Sequence, residues 1–307
     1  MSLTRKSLAI VSSLALAFSL TACNREEAKT DSVTLALSTQ SNPFFVELRD
    51  GAQKKASEMG IKLNVLDASN DASTQADQLK NAQTSGAGVV IVNPTDSDAV
   101  APSVKALNTA KIPVIAVDRS SNGGEIASFI ASDNVAGGKQ AAKALAESIN
   151  GEGEILILQG IAGSSASRDR GKGFEDGLKD YPKITVAGKQ TAKFDRTEGL
   201  NVTTNLLQAH PNVKAIFAEN DEMALGAIEA LGAKAGKDVK VFGFDGTADG
   251  IAAVKKGSMN GTIAQQPAEL GAKAVEQAKA LLEKKTATKE IPVAVVTVDA
   301  KNVAEFK

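Results

Sequence analysis

Short apolar runs alternate with amphipathic stretches along the chain from residue 33 onward. In the first half, runs rich in Val, Ile and Leu predict strands over 33–37, 63–66, 89–92 and 114–117. The stretches between these runs carry apolar residues at helical spacing and predict helices over 45–59, 74–85 and 98–110. Alternation of this kind is typical of βαβ units around a parallel sheet.

The same alternation appears a second time after residue 150. It predicts strands over 155–158, 184–187, 215–218 and 239–242, with helices over 168–179, 198–208 and 221–235. A chain of 307 residues is long enough for two domains, each with a core that needs no disulfide or metal. The sequence therefore predicts an α/β protein with two doubly wound parallel-sheet lobes.

Polar residues follow the predicted strands at matching places in the two halves. Asn93 and Asp118 follow two strands of the first half and lie 25 residues apart, and Asn220 and Asp245 repeat that spacing in the second half. Ligands of open α/β sheets bind at the carboxyl ends of the strands. The repeat predicts a polar cleft between the lobes, although Asn-Pro and Asp-Gly pairs at these positions are also good turn formers.

The first 23 residues are predicted to direct export. Arg5 and Lys6 precede an apolar run over 8–20 that is short for a membrane span, and Leu20-Thr21-Ala22-Cys23 resembles the lipobox of bacterial lipoproteins. We expect residues 1–22 to be a signal peptide, Cys23 to carry lipid such as palmitate, and residues 23–32 to form a tether. The alternatives are a Cys discarded with an ordinary signal peptide and a small buried apolar residue.

Composition and charge exclude several functions. The formal net charge is −1, and it becomes −3 without residues 1–22, so the excess of Lys and Arg that nucleic-acid binding needs is absent. His210 is the only His and Cys23 the only Cys, which excludes His/Cys metal clusters and a His-activated nucleophile. We expect a protein that is not an enzyme and that holds no metal or cofactor.

A series of long motifs resembles the bacterial ribose-binding proteins, the soluble receptors of an ATP-driven sugar importer. The resemblance runs over nearly the whole chain after the export signal. Its motifs are Ser41-Asn42-Pro43-Phe44-Phe45, Asn93-Pro94-Thr95-Asp96-Ser97-Asp98-Ala99, Asp118-Arg119, Ala131-Ser132-Asp133-Asn134, Gln159-Gly160-Ile161-Ala162-Gly163, Phe194-Asp195-Arg196, Asn220-Asp221-Glu222-Met223-Ala224-Leu225-Gly226, Gly243-Phe244-Asp245-Gly246 and Ile263-Ala264-Gln265. Glu219 departs from the neutral residue common beside this Asn in the family.

The resemblance implies a sugar site with eleven residues. The first lobe would contribute Asn42, Phe44, Phe45, Asn93, Asp118 and Arg119, and the second Arg170, Phe194, Asn220, Asp245 and Gln265. Phe rings offer flat walls to the C–H faces of a sugar, carboxylates accept hydrogen bonds, guanidinium groups donate them, and amides do both. This set suits a neutral polyol such as D-ribose or a close relative such as allose.

The resemblance also implies that the two lobes close around the sugar on a three-strand hinge. We expect chain crossings near 132–133, 265–266 and 293–296. Lobe one is then predicted to be residues 33–132 plus 266–294, and lobe two residues 133–265 plus 295–307.

The resemblance implies a monomeric binding protein that delivers its sugar to an ABC permease. We expect its lipid anchor at the outer face of the cell membrane or, in an organism with two membranes, at the periplasmic side of a membrane. The alternative is a receptor with the same fold that reports a sugar or a furanose-like signal to a membrane chemoreceptor. A sugar-responsive repressor would carry an N-terminal DNA-binding helix pair, where this chain has an export signal.

Overall fold

Strands and helices alternate along residues 32–306, the part of the chain that the computed structural model describes. The first elements are β1 (Ser32–Leu37), α1 (Pro43–Glu58), β2 (Lys62–Asp67), α2 (Ala72–Thr84), β3 (Val89–Val92), α3 (Ala101–Thr109), β4 (Val114–Val117) and β5 (Ser128–Ser132). The predicted signal peptide over 1–22 and the predicted lipidation site Cys23 lie outside the described residues. Ser32, predicted to end the tether, is the first residue of β1.

The second half of the chain repeats this order and then returns to the first half. Its elements are α4 (Asn134–Ser148), β6 (Glu152–Gln159), α5 (Ser165–Leu178), β7 (Lys183–Thr191), α6 (Arg196–Ala209), β8 (Ala215–Ala218), α7 (Asp221–Leu231), β9 (Lys240–Asp245), α8 (Ala248–Lys256), β10 (Gly261–Ala264), α9 (Pro267–Leu282), β11 (Glu290–Val293) and β12 (Val296–Asp299).

Two six-stranded sheets organise these elements. The strand orders are β11-β5-β4-β3-β1-β2 in the first sheet, which with its helices we call lobe one, and β12-β10-β9-β8-β6-β7 in the second, which we call lobe two. Each order runs outward from β1 or β6 in both directions, so the prediction of two doubly wound lobes is confirmed. Strand β12 differs from the expected parallel pairing because it runs antiparallel to β10.

The central strands of each sheet are buried on both faces, as β3 and β8 illustrate. All four residues of β3 are fully buried, and they alternate between the two apolar cores of lobe one. The four residues of β8 alternate in the same way between the two cores of lobe two. Continuous apolar runs such as Val89-Val90-Ile91-Val92 are therefore explained by helices on either side of a parallel sheet.

Several predicted helix limits were wrong. Helix α7 ends at Leu231 and a 3₁₀ turn follows over Gly232–Lys234, because Gly232 has a φ of +54° that an α-helix does not allow. Helix α3 begins at Ala101 instead of 98, because the Asp96 side chain accepts hydrogen bonds from the amides of residues 98 and 99 and holds a turn there. Helix α5 begins at Ser165, three residues before the predicted start.

The chain crosses between the lobes at three places. After β5 in lobe one the chain enters α4, which packs on β9, β10 and β12 of lobe two. After β10 in lobe two it enters α9, which packs on β3, β4 and β5 of lobe one. The third crossing runs from β11 in lobe one to β12 in lobe two. Neighbouring crossings are hydrogen-bonded, since the Asp133 amide donates to Val293 O at 2.9 Å and Gln266 Nε2 to Ala294 O at 3.1 Å. The three-strand hinge is thus present, while the outer lobe limits stay a prediction.

Candidate sugar-binding cleft

Matching strand ends in the two lobes carry carboxylates in an unusual backbone conformation. Asp118 follows β4 with a φ of +64°, and Asp245 ends β9 with a φ of +126°. Positive φ values are costly for residues other than Gly and persist only where the surroundings hold them, often at binding sites. The equal spacing seen in the sequence therefore corresponds to an equivalent structural feature in both lobes.

Eight of the eleven predicted site residues line one small cavity between the lobes. They are Phe44, Phe45, Asp118, Arg119, Arg170, Phe194, Asn220 and Asp245. Ala166 of α5 also lines it, although the sequence reasoning had not included this residue. The cavity volume is about 230 Å³, and the lining side chains lie close together.

Arg119 joins the aromatic walls of the two lobes. Its guanidinium carbon lies 5.1 Å from the ring centre of Phe45 in lobe one and 5.4 Å from that of Phe194 in lobe two. Its Nη1 donates to Pro94 O at 3.3 Å, and its Nε lies 3.6 Å from Asp118 Oδ2. A cation between two rings is favourable at these distances, particularly where it is desolvated.

On the lobe-two side of the cavity, Arg170 contacts several of the surrounding residues. From α5 its Nε donates to Asn134 Oδ1 at 2.9 Å, and its Nη1 donates to Glu219 O at 2.7 Å and to Asp245 Oδ1 at 3.4 Å. Its guanidinium carbon lies 3.9 Å from the ring centre of Phe244. These contacts fix a fully buried cation beside the carboxylate of Asp245.

The three other predicted residues lie behind the cavity wall. Asn93 accepts from Ser38 N and Ser38 Oγ, and its Nδ2 donates to Val117 O and to Asp118 Oδ2, both at 3.1 Å. Gln265 Nε2 donates to Asp245 Oδ1 at 2.7 Å. Asn42 caps α1 by accepting from the Phe44 amide at 2.9 Å. All three therefore hold residues that line the cavity.

Burial raises the pKa of both cleft carboxyl groups. For Asp118, desolvation raises the pKa, and the charges of Arg119 and Arg170 and the hydrogen bond from Asn93 oppose that effect. For Asp245, desolvation also raises the pKa, Arg170 lowers it, and the neighbouring acids Asp221 and Asp118 raise it further. Each carboxyl group thus has an adjacent arginine that favours its ionised form.

Three polar atoms of these residues have no hydrogen-bond partner among the described residues. They are Asp118 Oδ1, Arg119 Nε and Gln265 Oε1. An unpaired buried polar group costs about 1–3 kcal/mol, so most such groups in proteins are satisfied. Asp118 Oδ1 and Arg119 Nε belong to residues that line the cavity, and they are available to hydroxyl groups, which can both donate and accept.

Lobe one and lobe two also meet beside the cavity. Ser97 N donates to Gly163 O at 2.9 Å, and Ser120 N donates to Ser165 Oγ at 2.8 Å. We call these four residues the rim contact. The structure therefore shows the two lobes in contact, with the predicted site residues enclosed between them.

Sequence reasoning missed three residues that support the site. Asn134 lies in a quoted motif, but only the structure shows that it holds Arg170. Asp221 accepts from Thr247 N, Thr247 Oγ1 and Thr262 Oγ1, and burial raises its pKa to about 6. Glu219 was noted only as a departure from the family pattern, and its side chain is fully buried.

Other binding chemistry is limited in the described part of the chain. Within residues 32–306, no group of three or more His, Cys, Asp or Glu side chains is arranged to hold a metal ion. No helix in that range is both long and apolar enough to cross a bilayer.

The comparison with known proteins agrees with the two-lobe fold and with the cleft between the lobes. The model of the periplasmic binding protein domain matches residues 33–286, and the chain belongs to this family. The chain is 48% identical to the ribose import binding protein of Salmonella typhimurium over 279 residues, 91% of this chain and 94% of that one. It is 41% identical to the ribose import binding protein of Bacillus subtilis over 298 residues, 94% and 96% of the two chains.

Solved structures of sugar-binding and polyol-binding relatives share the architecture. The myo-inositol binding protein of Caulobacter, bound to myo-inositol, has a TM-score of 0.85 and 35% identity, covering 89% of this chain and 95% of that one. A solute binding protein from Actinobacillus succinogenes with bound D-allose has a TM-score of 0.83 and 32% identity, covering 90% and 99%. These relatives and the ribose import binding proteins are named as binding proteins, which confirms the expectation that the chain is not an enzyme.

Proposed function

We propose that the chain binds D-ribose, or a closely related monosaccharide, between its lobes and delivers it to the membrane permease of an ABC importer. The observation that carries this proposal is the convergence of Asp118, Arg119, Arg170, Asn220 and Asp245 on one enclosed space with Phe walls. The similarity to ribose import binding proteins supports ribose as the ligand. Asn42, Asn93 and Gln265 support the site by holding the residues that line it.

Closure supplies the mechanism. Periplasmic binding proteins are themselves a known example of hinge closure around a ligand. A sugar that touches both lobes stabilises the closed state, because only there can it reach Asp118 and Asp245 together. A net hydrogen bond contributes about 0.5–1.5 kcal/mol and a charge-assisted one about 1.5–3, so several of each allow about 8 kcal/mol, or micromolar affinity.

Titration calorimetry of the purified protein with D-ribose, 2-deoxyribose, D-allose and myo-inositol tests the proposal. We expect micromolar or tighter binding of D-ribose and about a hundredfold loss for the deoxy sugar, since it leaves a buried charged group unpaired. Asp118→Ala should weaken ribose binding more than tenfold, and Asp77→Ala, an exposed carboxylate of the same lobe, should not. No heat with any of these sugars would contradict the proposal, as would normal affinity in Asp118→Ala.

Export and anchoring extend the same proposal. The family match agrees with an exported binding protein. We propose further that residues 1–22 are removed and that lipid on Cys23 anchors the chain at the outer face of the membrane. Mass spectrometry of the N-terminal peptide tests this, because an acylated Cys23 at the new N-terminus is expected and an unmodified one would contradict it.

The oligomeric state and the membrane partner belong to the proposal as well. We propose a monomer that meets the permease, with a chemoreceptor as the alternative partner. A pull-down from membranes with the sugar-loaded protein should recover the permease, and recovery of a chemoreceptor alone would favour the alternative. Sedimentation of the purified protein should give the mass of one chain.

A further inference from the structure

Glu219 lies buried between the end of β8 and the loop that joins β6 to α5. Its Oε2 accepts hydrogen bonds from Gly160 N, at 2.7 Å, and from Ser167 Oγ. Its Oε1 has no hydrogen-bond partner among the described residues. A Cβ added at Gly171 would lie 2.9 Å from Oε1, so α5 passes close to the carboxyl group.

The loop that Glu219 holds is the loop that meets lobe one. Gly160 and Ser167 bracket residues 161–166, which include Gly163 and Ser165 of the rim contact. Both hydrogen bonds to the Glu219 carboxyl group lie inside lobe two and do not require lobe one. The carboxyl group therefore fixes the shape of the loop from within its own lobe.

Glu219 also reaches the cleft through its backbone. Its carbonyl oxygen accepts from Arg170 Nη1 at 2.7 Å, and the next residue, Asn220, lines the cavity. One residue thus connects the loop of the rim contact with two predicted sugar ligands. A neutral side chain could accept the same two hydrogen bonds, but an ionised carboxylate accepts them more strongly.

The carboxyl group can change charge near neutral pH. Burial raises the pKa of Glu219 to about 7, and the hydrogen bonds from Gly160 and Ser167 oppose that effect. The charged groups that act on it are the cations Arg170 of α5 and Lys189 of β7, which also lower the pKa. Below about pH 7 the group is therefore mainly neutral, and above it mainly ionised.

We propose that Glu219 is a positioning residue that holds residues 160–167, the loop after β6 and the first turn of α5, ready to meet lobe one, and thereby couples the contact between the lobes to sugar affinity. This inference rests on the proposed sugar-binding function. A loop already held in its bound shape loses less conformational freedom on closure, and that saving appears as tighter binding. The effect should be larger when the carboxylate is ionised, because its hydrogen bonds to the loop are then stronger.

Calorimetry with D-ribose at pH 6 and pH 8 tests this inference on the wild-type protein, Glu219→Gln and Glu219→Ala. We expect Glu219→Gln to match the wild type within about twofold at pH 6 and to bind several-fold more weakly at pH 8. Glu219→Ala should bind about tenfold more weakly at pH 8. The matched control is Glu147→Gln, an exposed carboxylate on α4, which should follow the wild type at both pH values.

The outcomes separate this inference from the proposed function. If the wild type binds ribose and Glu219→Gln shows the same affinity and the same pH profile, the positioning role is wrong while the function stands. A wild type that gives no heat with any sugar would overturn the proposed function, and this inference with it. Glu219→Gln keeps the shape of the side chain, so its result decides the question even if Glu219→Ala does not fold.

Discussion

The two lobes place equivalent carboxylates at the cleft but hold them differently. In lobe one, Asp118 is held by residues of its own strand ends: Asn93 donates to it, and Arg119 is the next residue in the chain. In lobe two, Asp245 is held by Arg170 from α5, 75 residues away, and by Gln265 after β10. Both carboxylates thus have an amide partner from a neighbouring strand end, but the arginine beside Asp118 is the next residue in the chain and the arginine beside Asp245 comes from a distant helix.

The buried acids follow the same division. Lobe two contains Glu219, Asp221 and Asp245, and burial raises the pKa of each, whereas Asp118 is the cleft acid of lobe one with a raised pKa. Such groups cost folding energy when they ionise, unless hydrogen bonds or opposite charges compensate them. We therefore expect the ionisation of buried acids to cost lobe two more folding energy than lobe one.

Removing the two cleft arginines should give the largest contrast between the lobes. Arg170→Ala leaves Asp245 buried without its cation, and we expect the free energy of unfolding to fall by about 3–5 kcal/mol. In Arg119→Ala, Asp118 keeps the charge of Arg170 and the hydrogen bond from Asn93, so we expect a smaller loss of about 1–3 kcal/mol. Urea unfolding of both variants measures the difference.

Arg49→Ala is the control for the arginine pair. Arg49 forms a partly exposed ion pair with Asp50, so its loss should cost less than about 1 kcal/mol. Equal losses for Arg170→Ala and Arg119→Ala would show that the two lobes do not differ in how they hold their carboxylates.

Substitution of the amide side chains behind the carboxylates should destabilise lobe one more than lobe two, the reverse of the contrast expected for the arginines. Asn93→Ala removes the acceptor of Ser38 N and the hydrogen bonds that Asn93 Nδ2 donates to Val117 O and Asp118 Oδ2, and we expect a loss of about 2–3 kcal/mol in unfolding free energy. Gln265→Ala removes one hydrogen bond to Asp245 and should cost about 1 kcal/mol. A Gln265→Ala protein as unstable as Asn93→Ala in urea would show that the amides carry equal weight.

The rim contact can be disturbed without touching either side of the cavity. A Cβ at Gly163 would lie 1.7 Å from Asp96 Oδ2 across the lobes. We expect Gly163→Ala to bind ribose about tenfold more weakly with unchanged thermal stability, because the clash arises only when the lobes meet. The control is Gly123→Ala, whose added Cβ would meet only lobe-one atoms. Unchanged affinity in Gly163→Ala would remove the rim contact from the closing mechanism.

The smallest expected effect is the pH dependence that Glu219 adds to stability. Its pKa in the folded protein, about 7, lies above the ordinary value of 4.5, so the folded state binds the proton more tightly than the unfolded state. The resulting stability is fully present below about pH 4.5 and is lost as the pH rises through 7. Between pH 6 and pH 8 the wild type should lose about 1 kcal/mol more than Glu219→Gln in urea unfolding. Equal losses would contradict the raised pKa.

Much of the fold was predictable because parallel strands that are buried on both faces appear in the sequence as continuous apolar runs. The limits of β3, β4 and β8 were predicted to the residue, since each is a continuous apolar run. The start of α5 was missed because its first turn, Ser165-Ala166-Ser167, is small and polar and gives no apolar period.

The sequence pattern alone predicted only those site residues that lie directly at the ends of strands. The repeated spacing located Asp118 and Asp245, and the family resemblance added the Phe residues and arginines that line the cavity. Neither indicated that the bonding capacity of the Asn93 side chain is used inside lobe one. The role of Glu219 depends on a loop 59 residues away, and no local pattern reports a contact of that length.

The side-by-side arrangement of the three crossings limits how the lobes can travel. A single connecting strand would let one lobe rotate in any direction relative to the other. Three neighbouring strands resist twisting and sliding of the lobes and leave one axis about which they can bend easily. Ser132 pairs with Val293 on one side of that axis, and Ala264 pairs with Val296 on the other. Opening and closing should therefore follow one reproducible rotation. Every closed molecule would then present the same outer surface to the permease that receives the sugar.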